Sequence, residues 1–317
     1  MGREGVTQQY LRDARLTLGD TSGKGLDVSE LRFTFQVQHS TTQTLKNLYA
    51  RVYNMAPATI ATAPREGGTV TLQAGYQGRS GVIFTGQITQ TRVGRETPTD
   101  TCFDVFAQDG DTAYNQATVN VSLAAGATAD DVRAQMLKSF GTYGFADGAV
   151  PDLSTVAMPR GQVFYGMARD HMRTLARDNA CTWGFDDGRM NMVSATQSLP
   201  NTAVVLTAAT GLIGLPQQTE DGISIRCLLN PMLRINGLVQ LDNSSIQQAR
   251  KSQNLAGTQG STLPSLDDAG GKRDGVYKII WIDYRGDTRG QDWYCDLVCL
   301  TTDPNGIVPA SVAHVGL

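Results

Sequence analysis

Apolar and polar residues alternate along short stretches of the first third of the chain. From Leu31 to Gln38, every second side chain is large and apolar, and the side chains between them are polar. This period of two predicts a β-strand, Leu31–His39, with one buried face. Five further runs rich in β-branched and aromatic residues predict strands at Ala14–Leu18, Leu48–Asn54, Thr69–Gly75, Val82–Val93 and Cys102–Ala107. Short strands separated by glycine-containing turns predict a small barrel or sandwich.

The alternation gives way to a helical period between residues 111 and 193. Thr128 is a suitable N-cap, because Asp130 and Asp131 follow it in the first turn of the predicted helix. Apolar side chains then recur at helical spacing as far as Gly141, at Val132, Met136 and Phe140. These features together predict one helix.

A second helix is predicted at Gln162–Asp178, with His171 on its apolar face. A hairpin is predicted next, with strands Cys181–Phe185 and Arg189–Val193 and the turn Asp186-Asp187-Gly188. The middle of the chain is therefore predicted to be a small α/β module.

The last third returns to strands. Four are predicted, at Ile223–Leu229, Gly237–Asp242, Val276–Tyr284 and Trp293–Leu300. Between the second and the third, Asn243–Asp274 is rich in small polar residues and has almost no large apolar side chain. Such a segment cannot bury enough surface to offset the entropy of ordering it, so we expect a long mobile loop.

Four sequence blocks occur in the same order in the first and last thirds. The first set comprises residues 50–54, 70–73, 81–88 and 100–105, and the second comprises 225–231, 239–242, 275–282 and 292–298. Self-similarity over this length indicates two related β-domains. The alternative is chance, because any two β-barrels share alternating patterns.

The predicted fold class is therefore mainly β with an α/β insert, in which two similar β-barrel-like domains flank the module. The predicted boundaries are 1–110 for the first β-barrel domain, 111–193 for the α/β module and 194–317 for the second β-barrel domain, which carries the loop 243–274.

Composition limits the function. The chain of 317 residues carries 27 basic and 30 acidic side chains, a net charge of −3, which argues against a protein that coats DNA. No segment has the apolar length of a membrane span, and the first residues do not resemble a signal peptide. We therefore expect a cytosolic protein whose five cysteines are buried thiols rather than disulfides.

The sequence offers little chemistry. Its three histidines, His39, His171 and His314, lie far apart, and none has a second metal ligand at helical spacing. His171 is interpreted as a core histidine bonded locally. The glycine-rich stretch from Gly19 to Gly25 departs from a phosphate-binding loop in spacing and lacks its Ser or Thr, so it is interpreted as a turn.

The acidic and cysteine motifs have structural interpretations as well. Asp109-Gly110-Asp111 and the Asp186 turn lack the further oxygen ligands of a calcium loop. Cys295 and Cys299 fall on one face of a predicted strand and are interpreted as part of an apolar stripe. The sequence thus predicts no catalytic, cofactor-binding or metal-binding residue, and it favours a scaffold over an enzyme.

Three blocks of the sequence carry a further signal: 54–86, then 211–216 followed by 222–231, and the closing Gly286-Asp287-Thr288-Arg289-Gly290-Gln291-Asp292-Trp293-Tyr294. These blocks resemble the baseplate hub proteins of contractile-tailed bacteriophages. The block 54–86 is similar to the first tube domain of those proteins. The resemblance covers nearly the whole chain, and its motifs are structural.

The resemblance implies a homotrimeric ring, without cofactors, at the centre of a baseplate in the virion, assembled in the host cytoplasm. Its partners would be a tail tube or tube-initiator protein on one face, a central spike on the other, and further baseplate proteins. Three chains with two tube domains each would adapt a sixfold tube to a threefold spike, with DNA passing through the lumen unbound. The alternatives are the hub part of a type VI secretion spike and a tail-associated peptidoglycan hydrolase.

Overall fold

One sheet of 13 strands runs through both the first and the last third of the chain. It is seen in a computed structural model that describes residues 11–20, 24–41, 45–195, 197–199, 202–219, 222–241 and 275–301. Its strands before the middle segment are β1 (Arg12–Gly19), β2 (Gly25–Asp27), β3 (Phe33–Ser40), β4 (Asn47–Tyr53), β5 (Thr69–Tyr76), β6 (Arg79–Arg95) and β7 (Thr101–Gln108). Those after it are β13 (Val204–Leu206), β14 (Leu212–Thr219), β15 (Gly222–Leu228), β16 (Leu238–Leu241), β17 (Gly275–Asp287) and β18 (Trp293–Thr301).

The sheet contains the same strand order twice. The first repeat, Phe33–Gln108, has the order β3-β4-β7-β6-β5, and the second repeat, Leu212–Thr301, has the order β14-β15-β18-β17-β16. All these pairings are antiparallel. The two repeats join where β17 pairs antiparallel with β3, which places Trp281 opposite Ser40. Each repeat therefore continues the sheet of the other.

The strand patterns explain which face of the sheet is buried. In β3, Phe33, Phe35 and Val37 are almost fully buried, whereas the polar residues between them face away from the core. One apolar cluster contains residues of both repeats, from Leu16 to Cys299. Burial of this single face holds the two repeats together, because apolar burial is the dominant favourable contribution to folding.

The middle segment forms a separate small core. Its elements are α2 (Asp111–Gln116), β8 (Thr118–Leu123), α3 (Ala129–Gly141), β9 (Ala146–Asp147), β10 (Gln162–Met167), α4 (Ala168–Asp178), β11 (Cys181–Asp186) and β12 (Arg189–Ser194). The α3 helix begins at the predicted N-cap, Thr128, whose side chain accepts from the Asp131 N–H and forms a capping box with Asp131. The core of this module packs Phe140, Trp183 and Phe185 against one another. Two short helices lie outside it, α1 (Pro57–Thr62) and the 3₁₀ turn η1 (Ala208–Thr210).

The predicted fold class is confirmed: the protein is mainly β, with an α/β insert between two similar β units. The predicted helix Gln162–Asp178 is wrong in its first part, because residues up to Met167 form β10 and pair with β8. Gly166, with φ of 127°, adopts a backbone conformation incompatible with a right-handed helix.

The predicted loop 243–274 lies outside the described residues. The domain boundaries remain a prediction. None of the helices in the described ranges is both long and apolar enough to cross a membrane.

Candidate functional site

The two repeats agree down to the position of a β-bulge. In the first repeat, the register between β6 and β7 shifts at Thr89, between Ile88 and Gln90. In the second, the register between β17 and β18 shifts at Ile280, between Ile279 and Trp281. A bulge inserts one residue and bends the strand. Its recurrence at the same place shows that the repeats share local geometry as well as strand order.

The turn before β5 recurs before β16 with its hydrogen bonds. The Gly67 N–H donates to the Ile88 carbonyl at 2.9 Å, and the Asn236 N–H donates to the Ile279 carbonyl at 2.9 Å. The next hydrogen bonds also correspond. The Ile88 N–H donates to the Gly68 carbonyl at 2.7 Å, and the Ile279 N–H donates to the Gly237 carbonyl at 2.9 Å. These bonds fix the equivalence of the repeats residue by residue.

An arginine–aspartate pair occupies equivalent cross-strand positions in the two repeats. Arg51 on β4 lies opposite Asp104 on β7, with Nε to Oδ1 at 2.7 Å. Arg226 on β15 lies opposite Asp296 on β18, with Nε to Oδ1 at 2.6 Å. In both pairs, a second guanidinium nitrogen donates to the other carboxylate oxygen, as in the bidentate geometry that arginine favours.

These pairs belong to the polar face of the sheet, which lies opposite the apolar core. Two more arginines of this face also have aspartate partners: Arg92 lies 3.2 Å from Asp104, and Arg285 lies 2.7 Å from Asp283. A groove of about 380 Å³ on the same face is lined mainly by amides and aromatic side chains, among them Gln36, Gln38, Asn47, Tyr49, Gln90, Phe106 and Gln108. The face is therefore polar, and its charges neutralise one another.

A charge cluster around the buried Lys46 joins the α/β module to the sheet. Lys46, just before β4, donates to Asp186 at 2.8 Å and to Asp187 at 3.1 Å, both at the β11–β12 turn. Arg234 also donates to Asp187, at 2.6 Å, and the Asp187 N–H donates to Asp109 at 2.8 Å. The three aspartates have carboxylate oxygens within 4.8 Å of one another, as a cation site would, but the chain itself supplies the cations.

Burial changes the protonation of this cluster. It raises the pKa of Asp109 to about 7, against the opposing charge of Lys46. Burial also lowers the pKa of His39, which lies on β3 beside the cluster, to about 4. Burial alone would raise the pKa of Asp186, but the Lys46 ammonium holds it below its ordinary value. Asp109 is therefore partly protonated near neutral pH, while His39 is neutral.

The structure also locates the histidines and cysteines that the sequence analysis considered. His171 is half-buried rather than in the core; its Nε2 lies 3.3 Å from the Tyr165 carbonyl. His314 lies outside the described residues. All five cysteines are buried free thiols, and Cys295 and Cys299 belong to the apolar core as predicted. The cluster around Lys46 was not predicted, because its members are distant in sequence.

Exposed apolar side chains lie on two strands at the borders of the sheet, β14 and the second half of β6. The strand β14 ends the sheet and pairs with β15 on one side. The strand β6 pairs with β5 as far as Gln87, and Gln90–Arg95 pairs with β7. Val93 is 58% exposed, Ile213 39% and Leu215 52%.

Comparison with known proteins identifies the family of the chain. The sequence model of the family "Baseplate hub gp41" matches residues 32–249, more than half of the chain. The chain belongs to the baseplate hub gp41 family. It is thus a component of the phage virion tail with a structural role there, as the resemblance in its sequence implied. No curated protein matches it in sequence.

Solved structures share the fold of this baseplate hub protein at low identity. The 43 kDa tail protein of prophage MuSo2 from Shewanella oneidensis matches with a TM-score of 0.58 and 10% identity, over 94% of this chain and 99% of the other. A tail protein from Neisseria meningitidis MC58 matches with a TM-score of 0.57 and 9% identity, over 96% and 99%.

A third structure is the c3393 protein of E. coli, described as a type VI secretion component similar to the T4 tail proteins gp27 and gp5. It matches with a TM-score of 0.52 and 10% identity, over 89% of this chain and 76% of that one. The family and these structures are tail, hub and secretion components, whereas the absence of enzymatic activity in this chain remains a prediction.

Proposed function

We propose that three copies of this baseplate hub protein form a ring that adapts the sixfold tail tube to the threefold central spike. The observation that carries the proposal is the recurrence of the strand order, of the bulge in β6 and β17, and of the turn before β5 and β16. Two equivalent units in one chain give six units in a trimer. Six similar units match a sixfold tube, while the chain itself repeats only three times.

The polar face of the sheet would line the channel through which DNA passes. Arg51, Arg92, Arg226 and Arg285 on this face each have an aspartate partner within 3.2 Å. Because these guanidinium groups are already paired, they offer phosphates little attraction. Affinity for DNA depends on unpaired basic groups that replace counterions, so this lining would let DNA pass without holding it.

The mass and symmetry of the purified protein test this proposal. Light scattering should give about three times the chain mass of 34.1 kDa. Averaged electron micrographs of the same sample should show a threefold ring with six similar densities around an open centre. A chain that stays single at high protein concentration, or forms a ring of another order, contradicts the proposal.

A hub in a type VI secretion spike is the second candidate, favoured by the fold shared with the E. coli secretion component. A spike hub would co-purify with secretion-system tube proteins, whereas a phage hub would be found in tail particles of the phage that encodes it. Mass spectrometry of purified tails distinguishes the two. The proposed partners, a tube protein on one face and a spike on the other, are tested in the same experiment.

A further inference from the structure

Two buried cysteines of the second repeat lie opposite each other on neighbouring strands. We propose that Cys227 on β15 and Cys295 on β18 form a disulfide when the virion leaves the reducing interior of the cell, and that this bond fastens the hairpin β14–β15 to the rest of the sheet. In the structure both residues are free thiols, the state that precedes the bond. The inference follows from the place of the chain in the virion tail and does not depend on the proposed ring.

The pairing of β15 with β18 holds the two thiols in register. Cys227 lies directly opposite Cys295. Directly opposed residues of an antiparallel pair share one face of the sheet and have Cα atoms about 4.5–5.5 Å apart, while a disulfide needs Cα atoms about 4.4–6.8 Å apart. The two thiols also hydrogen-bond to each other. The backbone is therefore already arranged for the bond.

The first repeat shows that packing does not require sulfur at this place. Next to its arginine–aspartate pair, the first repeat has Val52 opposite Phe103, both almost fully buried. Next to the equivalent pair, the second repeat has Cys227 opposite Cys295. Apolar side chains fill this part of the core in one repeat, so packing alone does not explain two opposed thiols in the other.

The other cysteines of the chain have different cross-strand neighbours. These neighbours are Ile223 and Ile279 for Cys299, Tyr53 and Gly94 for Cys102, and Ser194 for Cys181. Cys299 lies on the same face of β18 as Cys295, and both are 0% exposed, yet the side chains opposite Cys299 are isoleucines. The geometry thus selects one disulfide, and Cys299 provides a comparison at equal burial.

Burial controls how this pair reacts. Cys227 and Cys295 both belong to the apolar core. Burial raises the pKa of the Cys295 thiol well above its ordinary value, and the Asn230 N–H, which hydrogen-bonds to the Cys295 sulfur, opposes that shift. Because the thiolate is the reactive form, oxidation should be slow. Once the disulfide has formed, the same burial shields it from reductants in solution.

Hydrogen peroxide, a small uncharged oxidant, balances the step. The Cys295 sulfur attacks peroxide, so that an S–O bond forms as the O–O bond breaks, and the released hydroxide takes the thiol proton and leaves as water. The Cys227 sulfur then attacks this sulfenic acid, so that the S–S bond forms as the S–O bond breaks, and a second water leaves with the Cys227 proton. The two thiols lose two electrons, which reduce the peroxide.

The bond would act on the attachment of a hairpin. The strand β15 pairs with β14 on one side and with β18 on the other, so its pairing with β18 attaches the hairpin β14–β15 to the sheet. A disulfide stabilises a protein more when it closes a longer loop, and Cys227 and Cys295 are far apart in sequence. The oxidised chain should therefore melt at a higher temperature than the reduced chain.

Oxidation of the unmodified protein tests the bond directly. The protein is purified with a reductant, freed of it, incubated with hydrogen peroxide, and then denatured and treated with N-ethylmaleimide. Mass spectrometry should show that three of the five cysteines take the reagent, and it should identify a peptide pair linked through Cys227 and Cys295. In a sample kept reduced, all five should react.

Two alanine variants distinguish the opposed pair from cysteine reactivity in general. Cys227→Ala removes one member of the pair and should abolish the linked peptide. Cys299→Ala removes an equally buried thiol from the same face of β18 and should leave the linked peptide unchanged. Circular dichroism of the reduced variants checks that both fold, and the result on the unmodified protein stands without them.

The oxidation experiment has outcomes that overturn the disulfide. Five reactive cysteines after prolonged exposure to peroxide would do so, as would a linkage through Cys299 in place of Cys295. A Cys295 that is oxidised to the sulfinic acid without any linked peptide would show that the two sulfurs do not meet.

Thermal unfolding tests the effect on the hairpin. The unmodified protein should melt several degrees higher after oxidation than in reductant, whereas Cys227→Ala should melt at one temperature in both. Equal melting of the two states of the unmodified protein overturns the fastening of the hairpin.

Isolated tail particles test when the bond forms. Particles of the phage that encodes this chain, treated with N-ethylmaleimide as they are collected from the medium, should contain the linked peptide. Infected cells treated with the reagent before lysis should yield the chain with all of its thiols blocked. A linked peptide in both samples, or in neither, contradicts formation outside the cell.

Discussion

Asn236 occupies in the second repeat the position that Gly67 occupies in the first, and both residues have left-handed backbone, with φ of 59° and 82°. Both residues need this conformation because each N–H donates across the turn to a backbone carbonyl. The acceptor is Ile88 for Gly67 and Ile279 for Asn236, in each case the residue just before the bulge. Glycine adopts it without strain, and asparagine tolerates it better than most residues.

The shared turn predicts matched effects of substitution. Asn236→Gly should leave the free energy of unfolding nearly unchanged, whereas Asn236→Ala should lower it by about 1 kcal/mol. Gly67→Ala should cost a similar amount, since a Cβ there meets nothing within 4 Å and strain alone opposes it. Urea unfolding measures all three. If alanine leaves the free energy of unfolding unchanged at both positions, the proposed equivalence of the two turns is wrong.

The two arginine–aspartate pairs should differ in strength despite their common geometry. The Asp104 side chain is 1% exposed and is shared by Arg51 and Arg92, whereas the Asp296 side chain is 20% exposed. Asp104→Asn should lower the free energy of unfolding by about 2–3 kcal/mol, since it removes the buried carboxylate that accepts two charge-assisted hydrogen bonds from Arg51. Asp296→Asn should cost under about 1 kcal/mol.

Denaturant unfolding of the two variants, at the same pH and ionic strength, makes this comparison. An equal cost for both would mean that burial does not determine the strength of the pair.

Lys46 should be essential for joining the module to the sheet. Its side chain is 2% exposed and that of Asp186 is 15% exposed, so Lys46→Met leaves a buried carboxylate without its ammonium. We expect a loss of about 3 kcal/mol in the free energy of unfolding. In the double variant Lys46→Met/Asp186→Asn, the loss should be smaller than the sum of the single losses.

The exposed pair Arg173–Asp170 provides the control for that cycle, because its side chains are 50% and 54% exposed. Arg173→Met should change the free energy of unfolding by less than about 1 kcal/mol. Additive effects in the Lys46 cycle would show that the two groups do not interact.

Asp109 makes stability depend on pH in a defined direction. Its pKa is about 7 in the folded protein and 3.8 in its ordinary state, so the folded protein binds the proton more tightly. This contribution is present at low pH and is lost as the pH rises from about 4 to 7. Asp109→Asn keeps an acceptor for the Asp187 N–H without a charge, so its advantage over the unmodified protein should be larger at pH 8 than at pH 5.

Two comparisons complete the pH experiment. Asp152→Asn alters an exposed carboxyl and should not change the pH profile. His39 acts in the other direction: its pKa is lowered from 6.5 to about 4, so its contribution is lost as the pH falls through that range. An advantage of Asp109→Asn that is the same at pH 5 and pH 8 contradicts the assignment.

Local patterns predicted the strands well because one face of the sheet is buried. The alternation in β3 and the stripe of Trp293, Cys295, Leu297 and Cys299 in β18 are direct consequences of that burial. The N-cap at Thr128 was predictable for a different reason: the cap depends only on residues that are three positions apart. The order of the repeated blocks was also visible, because matching strands have matching patterns.

What the sequence did not reveal depends on partners far away along the chain. The β3–β17 junction joins residues about 250 positions apart, such as Gln36 and Asp283, and leaves no local pattern. The strand β14 was not predicted, since exposed polar residues and a register shift interrupt its alternation. In β10, Phe164 and Met167 are spaced as in a helix, and pairing with β8 overrides that spacing.

Arg92 and Asp283 occupy equivalent cross-strand positions in the two repeats and carry opposite charges. Around a closed assembly of three chains, positive and negative side chains would therefore alternate at six matching points of the backbone. A partner that binds only the backbone would find six equivalent sites. A partner that binds through charged groups would instead find three positive and three negative sites. The difference between the two repeats thus gives a single surface two periodicities.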